Sequence, residues 1–83
     1  MNTLAQAKII VSQWPKRHIR PPLFDSPEAA RVWADKNERA CLQVLDNRLA
    51  DYAAGRCQIE AVAHALQAWL MAIDFYFASL PKP

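Results

Sequence analysis

Along the last third of the chain, apolar residues recur at alternating steps of three and four. Ile59, Val62, Leu66, Trp69, Ile73, Tyr76 and Leu80 mark the steps. This is the spacing of a helical a/d seam held over three heptads. It predicts one helix over 58–80, about 33 Å long at 1.5 Å per residue, with a face that must be buried. Pro81 ends it, and Glu60 in its first turn suits the helix dipole.

A second helix is predicted over 27–54. Asp25 or Ser26 supplies an N-cap, Pro27 sits in the first turn, and Glu28 faces the positive end of the dipole. Gly55 offers a left-handed cap at the far end. The apolar arc of this helix is broad, taking in Trp33, Ala34, Ala40, Cys41, Leu42, Val44, Leu45, Leu49 and Tyr52. So wide an arc implies more than one neighbour. Residues 55–58 are too few for anything but a turn, so the two long helices are expected to form an antiparallel hairpin.

The N-terminal pattern is weaker. Thr3-Leu4-Ala5-Gln6 reads as a capping box, and Leu4, Ala7, Val11 and Trp14 share a helical face. Together they predict a helix over 3–14, stopped by Pro15. The β-branched run Ile9-Ile10-Val11 could also form a strand, but no second strand-like run exists to pair with it. Residues 15–25 hold Pro15, Pro21 and Pro22 and read as an extended connector.

Composition agrees with this all-α architecture. The chain has 83 residues, enough for one domain spanning 1–83. Hydrophobic residues make up 53% and there is one Gly, which favours helices over a sheet built on tight turns and excludes a disordered chain. Cys41 and Cys57 lie in no paired-ligand motif and are expected as reduced thiols in the cytoplasm. The N-terminus has no charged segment followed by a long apolar run, so no signal peptide is expected. Residues 61–80 have the length of a membrane span. They include His64, Gln67 and Asp74, and a central Asp costs about 2.5–3.5 kcal/mol in lipid, so no membrane partner is expected.

Catalytic chemistry finds no support. Glu60 and His64 stand one helical turn apart, but no third ligand is positioned, and the pair is expected on a solvent-facing surface. Glu60 and Asp74 lie about 21 Å apart along one helix, too far for paired-carboxylate hydrolysis. No glycine-rich loop is present to cradle a phosphate. The expectation is a non-enzyme without metal or cofactor.

Two surfaces remain as candidates for work. The back of the last helix should be polar, yet Met71 and Phe75 interrupt it beside Phe77. With Trp33 on the long helix, they are the expected protein interface. A two-helix hairpin hides such arcs poorly by itself, so a homodimer completing a helical bundle is expected. The functional expectation is a small adaptor, inhibitor or regulator that binds another protein or itself through an apolar helical face. The alternative is a nucleic-acid-binding regulator. Lys16, Arg17 and Arg20 cluster in a segment without acidic residues, and Trp14 could stack on a base.

Overall fold

The computed structural model describes residues 2–16 and 22–80, and within them the chain is all-helical with three helices. They are α1 (Thr3–Ser12), α2 (Pro27–Ala53) and α3 (Ile59–Ser79).

Each helix end has a local cause. At the start of α1 the cap is Asn2 rather than Thr3. Its Oδ1 accepts from the Leu4 N–H at 2.9 Å, and its carbonyl accepts from the Gln6 N–H at 3.1 Å. The helix stops at Ser12, two residues short of the expected end. Gln13 and Trp14 close onto Ile10 and Val11 in tighter three-residue turns, as Pro15 disfavours the α conformation in the residue before it. Ser26 caps α2, its Oγ accepting from the Ala29 N–H at 3.1 Å, with Pro27 as the first helical residue.

The end of α2 is a Schellman turn. The Arg56 N–H donates to the Asp51 carbonyl at 2.8 Å, and the Gly55 N–H donates to the Tyr52 carbonyl at 3.0 Å. Gly55 sits at φ +75°, and a Cβ added there would meet nothing within 4 Å. Its requirement is therefore conformational, not steric. Helix α3 starts at Gln58 with no side-chain cap. Its stability must come from packing.

That packing is substantial, because both other helices lie against α3 while touching each other only slightly. The core joins Ala7 of α1, Leu45 of α2 and Val62, Ala63, Ala65 and Leu66 of α3. Leu4, Ile10, Leu42, Leu49, Ile59 and Trp69 pack around it. Three of the six central residues are alanine, which lets helix backbones approach closely. Leu66 and Val62 are the largest side chains fully buried. The thiol of Cys57, in the turn before α3, donates to the Arg48 carbonyl of α2, and between α2 and α3 the Trp69 Nε1–H donates to Glu38 Oε1 at 3.0 Å. The Trp33 and Phe75 rings meet at 5.9 Å. The chain is elongated, with a radius of gyration of 14.4 Å.

Leu66→Ala is expected to cost about 2–5 kcal/mol of unfolding free energy, from lost burial and the cavity left behind. Gly55→Ala, which changes backbone preference alone, is expected to cost about 1–2 kcal/mol. Urea denaturation of both variants checks the ranking.

Candidate interaction surface

Position along α3 decides which of its residues are covered. Ala63, Leu70 and Phe77 are spaced by seven, so they lie on nearly one line down the helix. Ala63 is 0% exposed, Leu70 38% and Phe77 64%. The cause is the length of α1. Ten residues reach about 15 Å, whereas the 21 residues of α3 reach about 31 Å. The stripe is sealed where α1 covers it and opens where α1 runs out.

At that boundary a groove of about 440 Å³ lies between the end of α1 and α3. Val11, Trp14, Leu70 and Met71 form apolar walls, while Lys16 and Asp74 add one charge of each sign. Both charged residues are exposed. Trp14 is half-buried, its ring centroid 4.5 Å from that of His64 with the planes tilted by 31°. His64 therefore faces the end of α1 as well as solvent.

The four residues expected at a protein interface fall into two groups. Trp33 and Phe75 form the intramolecular ring pair between α2 and α3, and Phe24 lies on Trp33 at 5.4 Å. These three rings, with Ala34, line a small cavity of about 140 Å³. Met71 is half-buried in the groove wall, and Phe77 stands exposed, edge-on to Tyr76 at 5.8 Å. Of the expected nucleic-acid contacts, Lys16 lines the groove, whereas Arg17 and Arg20 lie outside the described residues.

Among the described residues, no cluster of three or more His, Cys, Asp or Glu could hold a metal ion. Cys41 and Cys57 are free and half-buried. Desolvation, and next the neighbouring Glu38 carboxylate, push the Cys41 thiol above its ordinary pKa. The ion pairs among the described residues, Arg39–Asp35, Arg48–Asp51 and Arg56–Asp51, lie on α2 and the turn after it, largely in solvent. Exposed pairs of this kind contribute about 0–1 kcal/mol each. Helix α3 is long and apolar enough to cross a membrane. Core helices of soluble proteins meet the same criterion.

No protein-family model matches the chain, and no curated protein or solved structure is significantly similar to it.

Two outcomes follow from this geometry. Phe75→Ala should cost about 2 kcal/mol or more by breaking the ring stack, while Phe77→Ala should stay within about 0.5 kcal/mol in dilute solution. Thermal denaturation at low protein concentration separates them. Because its raised pKa leaves less thiolate at a given pH, Cys41 should react with iodoacetamide at pH 8 several-fold more slowly than an unstructured thiol. Mass-resolved alkylation kinetics reads this directly.

Proposed function

We propose that this chain is a non-enzymatic protein–protein interaction module, a small adaptor, inhibitor or regulator that docks through the open half of the α3 stripe. The observation that carries the reading is the rise in exposure from Ala63 through Leu70 to Phe77 along one face. A line of apolar side chains that starts in the core and ends in solvent is suited to an added helix. Such recognition uses anchors at i, i+3, i+4 and i+7. Leu70, Asp74 and Phe77 stand at i, i+4 and i+7, with Met71 beside Leu70 and Asp74 as the polar member.

In this reading α2 and α3 form an antiparallel hairpin. Contacts that pair Arg48 with Cys57, Glu38 with Trp69, and Trp33 with Phe75 support that course. The bundle is completed by a helical surface from outside the chain, either a different protein or a second copy. Free thiols at Cys41 and Cys57 suit a reducing cytoplasm. The nucleic-acid reading draws less support, since the ring of Trp14 is already stacked on His64.

The residues this proposal uses are not all those the sequence pattern suggested. Met71 and Phe77 remain, Leu70 joins them, and Trp33 and Phe75 serve as the internal support of that end of α3. Met71→Glu and Phe77→Glu are expected to reduce capture of a bound protein at least tenfold, with helical circular dichroism unchanged. Unaltered capture by both variants would remove the face from consideration.

A further inference from the structure

We infer that the open half of the α3 stripe is occupied by a second copy of this chain, related by a twofold axis passing beside Asp74. The inference rests on the reading of this face as an interaction surface and names its occupant.

The first argument is area. A compact monomer of 9.4 kDa exposes about 5,000 Å². This chain exposes 6281 Å². The excess is larger than the roughly 800 Å² that each partner buries in a standard interface. The radius of gyration agrees, at 14.4 Å against about 12 Å for a compact domain of this length.

The second argument is geometric. Leu70 and Phe77 are two turns apart, about 10.5 Å along the axis. A twofold axis midway between them sets α3 against the partner's α3 in the opposite direction. Leu70 then lies under the partner's Phe77, and Phe77 over the partner's Leu70, so one apolar contact is made twice. Leu70 also borders the groove of about 440 Å³. Each groove therefore receives a ring from the other copy, against Val11, Trp14 and Met71.

The third argument is charge. Residues 2–16 carry Lys8 and Lys16 and no acid, whereas α3 carries Glu60 and Asp74 and no Lys or Arg. Within 4 Å, none of these four forms an ion pair with another described residue. Lys16 and Asp74 line the same groove, on the α1 side of the stripe. The twofold brings both α1 ends to that side, so Lys16 faces the partner's Asp74. Two cross-pairs then offset the approach of the two carboxylates near the axis, which would otherwise repel.

The test is sedimentation equilibrium on the full chain at about 100 μM, well above the dissociation constants of most stable interfaces. The expected mass is twice that of one chain. Phe77→Glu should raise the dissociation constant at least about a hundredfold by setting a carboxylate against the apolar side chain that faces it across the contact. Its helical circular dichroism should not change, because Phe77 is exposed in the single chain. Lys16→Glu and Asp74→Lys should each weaken association by about fivefold, and the double variant should recover most of the loss.

A single-chain mass for the wild type overturns the inference. If Phe77→Glu still abolishes capture of another protein, the interaction surface itself stands. A double-chain mass unaffected by both Phe77→Glu and the charge reversals places the dimer contact elsewhere and also overturns it.

Discussion

Everything in this fold depends on α3 being shared. It is the one helix that both α1 and α2 pack against, and its buried side chains are mostly alanine. Small residues allow two helices to approach it at once, but they release little hydrophobic free energy individually. A methyl group hides far less surface than the side chain of Leu66 or Val62. The core therefore gains tight geometry at the expense of apolar volume, and an 83-residue chain has little surplus to offset that.

Aromatic rings supplement this packing, most of them towards the ends of the molecule. Near the start of α2, Phe24, Trp33 and Phe75 stack into a short aromatic ladder. It ties the residues before α2 to the last turns of α3. At the end of α1, Trp14 closes over His64. Midway along the α2–α3 seam the indole of Trp69 bonds to Glu38, giving a half-buried carboxylate a fixed partner. A neutral donor on a charged acceptor is a comparatively strong hydrogen bond in such a setting. These contacts set the register of the helices more sharply than alanine faces could.

The local signals proved readable because they act over a few residues. Ser26, Pro27 and Gly55 each have a backbone role that sequence neighbours decide, and the helices begin and end close to where such residues stand. The seam of α3 was readable for the same reason: periodicity is a property of the helix itself. The function of Phe75 was not. On the helical wheel it falls outside the seam, and its place depends on how far the broad arc of α2 wraps around α3, a tertiary quantity. The open line from Leu70 to Phe77 was hidden differently. Phe77 stood out in sequence as an interface residue but Leu70 did not, and the line joining them becomes visible only when the reach of α1 is compared with the length of α3. The early stop at Ser12 makes that difference larger than the spacing of apolar residues implied.

The three tryptophans give this arrangement an optical consequence. Trp14 sits where α1 meets α3, Trp69 at the middle of the α2–α3 seam, and Trp33 in the ladder at its far end. Each indole has a different neighbour: an imidazole, a carboxylate and two phenyl rings. Each junction of the molecule thus carries its own chromophore in its own electrostatic setting. Removing two indoles at a time would leave a single emitter reporting on one junction, so the order in which the helices separate could be followed with light and no added label.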